Sequence, residues 1–379
     1  MTADGLRAAV AAVLVLLLFA LDARAADQIP SQLSDEAFWG LIGRLSEDEG
    51  VYPTGSFISN ELGFQNPIPG AQSSTKPGGV YLGVGPEQNF TYIAAFRPKI
   101  AFIIDIRRQN LLDHLFYKAL FELSDDRSAF LGRLFCSERP VGLTDASSLD
   151  ELFAVYARAP RTEAAFAKNR DAVVELLRKT HGFPLSARDL DGLEKVYRAF
   201  FHFGQNITYD SELPPAEPRP APKNQRESPS YAAMARATDQ HGTNHNFLAS
   251  EDNYRAVRDL EMRNLVVPVV GDFGGPKAIN AIGAYLREHR ALVTVFYTSN
   301  VERYLLQQLN AETPNGGWRR FIENVEALPL DSSSLFIRVS KGSYVNQPIP
   351  SVWQRIQETL QAVREGRIKS RSNLFSPVK

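Results

Sequence analysis

The chain has 379 residues, of which 44% are hydrophobic, a formal net charge of −1 and a single cysteine, Cys136. That length can bury a substantial core in one large or two ordinary domains. The near-neutral balance carries no electrostatic footprint for nucleic acid, and one cysteine excludes an intramolecular disulfide.

The first segment is unlike the rest. Ala8 to Leu21 is an unbroken apolar run, preceded by Arg7 and followed by Ala23-Arg24-Ala25, a small-x-small cleavage pattern. This reads as a secretory signal peptide over residues 1–25. The run is too short for a comfortable membrane span of roughly 20 residues. The expectation is an exported protein, periplasmic or secreted, whose mature form does not engage the membrane. A misassigned start codon would instead leave it cytoplasmic.

Residues 26–77 hold one predicted helix, Asp35 to Leu45, with Phe38, Trp39, Leu41, Ile42 and Leu45 at helical spacing. A loop-rich run follows. Within it Ser59-Asn60-Glu61 reads as a surface turn, or as a segment that folds over the site and lends Asn60 or Glu61 to it.

Residues 78–110 are the organising stretch. A short apolar run, Val80 to Leu82, ends in Gly83 and Gly85. An amphipathic segment from Pro86 to Phe96 follows, then a second apolar run, Ile100 to Ile104, which ends at Asp105. Strand, glycine turn, helix, strand and acid make the opening unit of a nucleotide- or nucleoside-binding α/β sheet.

From 111 to 210 the periodicity is helical. Predicted helices are Leu111 to Leu123, Arg127 to Phe135, Ser148 to Ala157, Arg161 to Lys179 and Ser186 to Phe203. Ser186 with Asp189 resembles a capping box. This reads as a helical insertion. Residues 211–259 read as a proline-rich linker and a polar loop.

Over 260–345 the α/β pattern resumes, so 78–110 and 260–345 together read as the sheet-bearing core. Predicted strands are Asn264 to Phe273, Ala291 to Tyr297 and Leu335 to Val339, and Pro268 favours an irregular or edge position for the first. Helices are expected at Pro276 to Arg290, Val301 to Leu309 and Trp318 to Ala327. Residues 346–379 read as a helix, Ser351 to Val363, and a basic tail. The alternation predicts an α/β fold with a mostly parallel sheet flanked by helices.

The chemistry-bearing positions gather at predicted strand ends, where open α/β sheets bind ligands. Gly83 and Gly85 let the backbone turn tightly and approach a ligand. Glu87 stands in the first turn of the helix, where it would repel a pyrophosphate but tolerate a cationic, phosphate-free ligand. Asp105 suits the two hydroxyls of a ribose. Arg107 and Arg108 keep a rival in play, because an arginine beside that acid can hold a 2′-phosphate. Asp272 and Asn300, with Glu302 close by, end two further strands. His241 and His245 could share a metal, but without an HExxH pattern they read as a polar loop, and no metal site is expected. Asn89-Phe90-Thr91 fits a glycosylation sequon within a helix.

On the stretches from Gly79 to Asn110 and from Val295 to Leu305, the chain resembles the class I S-adenosylmethionine-dependent methyltransferases, a Rossmann-like fold, and within it an uncharacterised bacterial family. The resemblance implies that Gly83, Gly85 and Glu87 line the methionine part of the cofactor. It puts Asp105 on the ribose, Asp272 and Phe273 on the adenine, and Asn300 facing the methyl group. Asn300 or Glu302 would orient or deprotonate the acceptor. The chain departs from that pattern at Tyr81, where an acid is usual, at Glu87, where a third glycine is usual, and in the long helical insertion. The leading expectation is a methyltransferase-like protein that binds S-adenosylmethionine and a small-molecule acceptor. The alternatives are an exported, non-enzymatic binding protein for a nucleoside-like ligand and an NADP-dependent oxidoreductase.

Overall fold

Val80–Gly83 (β1), Ile100–Asp105 (β2), Val266–Val270 (β3), Val293–Ser299 (β4) and Leu335–Val339 (β5) lie side by side as parallel strands, and Ser351–Arg355 (β6) closes the sheet antiparallel to β5. The order is β3-β2-β1-β4-β5-β6, a Rossmann-like arrangement whose sense reverses between β1 and β4. The computed structural model describes residues 28–51, 56–211, 228–307, 316–339, 351–368 and 371–375. The expected signal peptide, the proline-rich run 212–227 and the end of the basic tail lie outside the described residues.

All residues of β1, β2, β3 and β5 are buried. Parallel strands covered on both faces need continuous apolar runs, which is why these stretches show no alternation. Pro268 sits in β3, which among the described residues pairs only with β2, so its missing amide faces no partner strand there.

The helices mostly begin where caps are available. Ser34 accepts from the Ala37 amide over 3.1 Å and starts Asp35–Leu45 (α1), which buries Phe38, Leu41, Ile42 and Leu45. Gln88–Phe96 (α3) follows β1, and Arg108–Glu122 (α4) follows β2. The helical insertion then runs through Arg127–Leu134 (α5), Leu149–Tyr156 (α6), Glu163–Glu175 (α7) and Ala187–Phe203 (α8). Ser186 and Asp189 form the expected capping box, and Ser148 and Glu151 form another. The predicted helix to Lys179 ends in a π turn, Leu176–Thr180. Ala278–Glu288 (α11) follows β3, and Val301–Gln307 (α12) and Gly317–Glu326 (α13) follow β4. No helix of the described residues is long and apolar enough to cross a membrane.

Three expectations are corrected. Ile68–Ser74 (α2), read as loop, is a short helix, because Pro67 and Pro69 suit its first turn and Ile68 and Ala71 are buried. The stretch read as linker and polar loop contains Tyr231–Arg236 (α9) and Glu251–Met262 (α10). α10 buries Tyr254, Val257, Leu260 and Glu261 at helical spacing, and its exposed polar face masked that stripe. The helix expected from Ser351 starts only at Ile356–Arg364 (α14). The five residues before it are β6, held to β5 by pairs such as Ile337 with Trp353. The short terminal helix Arg371–Leu374 (α15) ends the described chain.

Candidate functional site

β1 ends at Gly83 for a steric reason. A Cβ there would come within 2.0 Å of Asn89 Oδ1 and 2.8 Å of the Tyr81 hydroxyl. Asn89 folds back into the turn and donates to the carbonyls of Val84, Gly85 and Pro86 at 3.0, 3.0 and 2.7 Å, while Tyr81 donates to its Oδ1 over 2.8 Å. The sequon asparagine is therefore a buried lock on the turn, not a surface acceptor. Gly85 has φ +79° and faces open space, so the backbone can be approached there. His114, on α4, lies 2.9 Å from the Gly85 carbonyl through Nε2. Burial holds its imidazole down to about 4, so the ring is neutral and Nε2 donates.

Two buried carboxyls follow. Glu87, at the N-cap of α3, accepts the Ser59 amide at 3.2 and 3.1 Å. Burial pushes it up to about 8 against that amide's pull, with the charges of Asp113 and Glu61 adding to the rise. Glu61 accepts from Tyr297 Oη at 2.7 Å, Gln88 Nε2 at 2.9 Å and Ser299 Oγ at 2.5 Å. Its own value is raised because burial outweighs those donors. Ser59 Oγ donates to Gln88 Oε1 and closes the network. Ser299 is left-handed, φ +51°, and the β4–β5 register shifts between Tyr297 and Ser299. Such strain is concentrated where a structure needs a side chain re-aimed. The Ser59-Asn60-Glu61 segment thus folds over the strand ends; Glu61 enters the network and Asn60 stays half-buried.

Asp105 extends past the end of β1, since Gly83 pairs with Ile103. Its carboxylate accepts from Arg107 through the amide at 2.9 Å, Nε at 3.0 Å and Nη2 at 3.1 Å. Arg108 forks onto Asp189 of α8 at 2.6 and 2.9 Å. Neither arginine stands as a dedicated phosphate ligand. Asp113, on α4, accepts from Gln109 at 3.0 Å, and burial pushes it up to about 7.

The other expected residues follow β3 and β4, which run parallel to β1 and β2 and so end at the same edge of the sheet. Asp272 Oδ1 accepts the Gly274 amide over 2.9 Å in a tight turn after β3. Phe273 is buried and packs on Phe296 and stacks on Phe321, centroids 5.1 and 5.6 Å apart, so its ring belongs to the core. Asn300 sits half-buried at the end of β4. Glu302 is held by Arg338 Nε at 3.0 and 2.8 Å, both side chains buried, and Arg338 Nη1 donates to Gln354 Oε1 at 2.5 Å and Thr359 Oγ1 at 3.0 Å. The geometry therefore brings Gly83, Gly85, Glu87, Asp105, Asp272 and Asn300 to one end of the sheet, turns Phe273 into the core and gives Glu302 a structural partner. Asp113, His114, Tyr297 and Ser299 were not anticipated. The first two stand at adjacent positions on a helix whose apolar periodicity drew attention elsewhere.

The two histidines of the polar loop part company. His245 Nε2 lies 2.8 Å from Asp239, while His241 is exposed. Among the described residues no group of three His, Cys, Asp or Glu side chains is placed to hold a metal ion.

Fold and site define the class: a Rossmann-like α/β protein with a glycine turn, an acid and buried carboxyls at the point where the strand order reverses. The chain belongs to the family described as Domain of unknown function (DUF7790), which it matches over residues 57–180 and 152–374. No curated protein matches its sequence.

Proposed function

We propose that the protein binds S-adenosylmethionine, or a nucleoside-like ligand of the same kind, at the strand ends and is methyltransferase-like with an unassigned acceptor. The observation that carries this reading is Asp105. It is the acid at the end of β2, set beside the open face of the Gly85 turn at the order reversal. The residues fit in part. Gly85 leaves room for close approach, and a carboxylate has acceptor capacity beyond the three bonds Arg107 supplies. Gly83 is already packed by Asn89, so the ligand would meet the turn at Gly85 alone.

When bound, S-adenosylmethionine supplies an activated methyl group. This chain's part is to position that ligand: Asp105 to accept ribose hydroxyls, Gly85 to admit the backbone contact, Asn300 to face the acceptor. Glu302, engaged by Arg338, is a poor base.

That engagement favours a second reading, a binding protein without turnover that uses the same crevice. The NADP reading draws no support from the arginines, since Arg107 and Arg108 are each paired with an aspartate.

Calorimetry with S-adenosylhomocysteine and NADPH separates these. Binding of S-adenosylhomocysteine that weakens at least about tenfold in Asp105→Ala supports the first reading. Failure of S-adenosylhomocysteine to bind overturns it.

A further inference from the structure

The crevice at the order reversal lies between the ends of β1 and β4, which are neighbours in the sheet. One short strap of chain spans it. On the β1 side, the Ser59 amide donates to Glu87 at 3.2 and 3.1 Å, and the Ser59 hydroxyl donates to Gln88 Oε1. On the β4 side, two residues further along, the Glu61 carboxyl accepts from Tyr297 at 2.7 Å and from Ser299 at 2.5 Å. Gln88 Nε2 reaches the same carboxyl at 2.9 Å, so one residue of α3 holds both ends of the strap. Ser59 and Glu61 are buried, and Asn60 between them is half-buried.

The kind of attachment decides what this strap can do. A strand added to the sheet would be held by a ladder of backbone pairs. Among the described residues, every hydrogen bond from Ser59–Glu61 to α3, β4 or the N-cap of α3 has a side chain at one end at least. The strap's base lies just before it. Phe57 and Ile58 are 3 and 0% exposed, and the Ser56 carbonyl accepts from Arg107 Nη1 at 3.3 Å. The tip therefore has few bonds to break, none of them in the ladder, and it can lift while base and sheet stay in place.

We propose that Ser59–Glu61 is a lid over the strand-end crevice, closed in this structure, which lifts from α3 and β4 to admit the ligand. The identity of that ligand rests on the strand-end reading above. A nucleoside-sized molecule set across the order reversal would need the space that the tip takes between α3 and β4. Gly85 faces open space beside the lid. The end of β4, where Ser299 is tied to the tip, is uncovered only when the tip moves.

Hydrogen exchange of the full chain, read residue by residue without ligand, tests the lid. The Ser59 amide is the reporter, because its partner is the Glu87 carboxyl, and the Leu82 and Ile103 amides of β1 and β2 are the reference. Ser59 should be protected at least about 100-fold less than the reference, through an opening that low urea leaves unchanged. Ser59→Ala, which removes the hydroxyl bond to Gln88, should lower that protection about fivefold further and leave the reference amides as they were. In rapid mixing with S-adenosylhomocysteine, the binding rate should level off with concentration, and Ser59→Ala should raise the plateau. Exchange of Ser59 only through global unfolding, with the urea dependence of Leu82, overturns the lid. So does a binding rate that rises linearly with concentration and is the same in Ser59→Ala, an outcome that leaves the ligand assignment intact. If Ser59 exchanges by local opening but S-adenosylhomocysteine does not bind, the ligand assignment fails and the lid stands.

Discussion

The hydroxyl of Tyr297, on β4, donates to the carboxyl of Glu61 over 2.7 Å, and so pins a loop that precedes β1 to the far side of the strand-order reversal. Ser299 and Gln88 donate to the same carboxyl. Truncation would leave the Tyr297 and Ser299 hydroxyls without this acceptor, while Gln88 Nε2 keeps the Tyr297 oxygen. Glu61→Ala should therefore cost about 3 kcal/mol, and Glu61→Gln, which keeps an acceptor oxygen, about 1 kcal/mol. Urea denaturation midpoints check this. Equal losses in the two variants would count against the network.

The two glycines of the turn differ in what they require. Gly83→Ala drives a methyl into Asn89 and Tyr81, both buried, and should destabilise by about 3 kcal/mol while disturbing the turn. Gly85→Ala meets nothing within 4 Å and bears only the strain of φ +79°, about 1 kcal/mol. Thermal melts of the two variants should rank in that order. Because the open face lies at Gly85, that variant should nevertheless lose more ligand affinity.

Glu302 and Arg338 form a buried pair. Removing one partner strands a charge, so Glu302→Ala should cost about 4 kcal/mol. The apolar replacement Glu302→Leu with Arg338→Met should recover much of that loss, because the desolvation penalty disappears with the charges. A double-mutant cycle in denaturant measures the coupling. A stable Glu302→Ala that is defective only in activity would return Glu302 to the reaction.

His181, just after the π turn, lies between two carboxylates: Nδ1 is 2.8 Å from Asp35 and Nε2 is 2.9 Å from Glu122. Burial opposes its charge, but the hydrogen bond and charge of Glu122, then those of Asp35, outweigh burial and raise it from 6.5. Folding therefore favours the protonated ring. Its stabilisation is complete below 6.5 and is lost as pH rises through the folded value. Lys118, 2.7 Å from Glu122, and Glu261, pushed up to about 8 by burial, complete the cluster. The melting temperature of the natural chain should fall more between pH 6 and pH 9 than that of His181→Gln. Parallel curves would refute this contribution of His181.

Much of the frame was legible in the sequence. The apolar runs of β1, β2 and β5, the Gly83-x-Gly85 turn, α1 and the Ser186–Asp189 cap are local signals that act within a few residues, and the fold respects them. Pro268 pointed to an irregular or edge position, and β3 stands at the edge. Positions were legible and partners were not: Asp105 ends β2 and Glu87 stands at the start of the helix after the glycine turn, as their spacing implied.

Only the tertiary structure decided that Asn89 fills the turn, that Arg107 closes on Asp105 and that Phe273 is core. It likewise decided that Glu302 belongs to Arg338, that residues 351–355 extend the sheet before α14 begins, and that Glu61 meets Ser299. The reason is reach. Periodicity, caps and glycine chemistry are short-range preferences of the backbone. A buried polar group must instead find its partner wherever the chain's topology has put one, and for Glu61 and Ser299 that is the far half of the sheet.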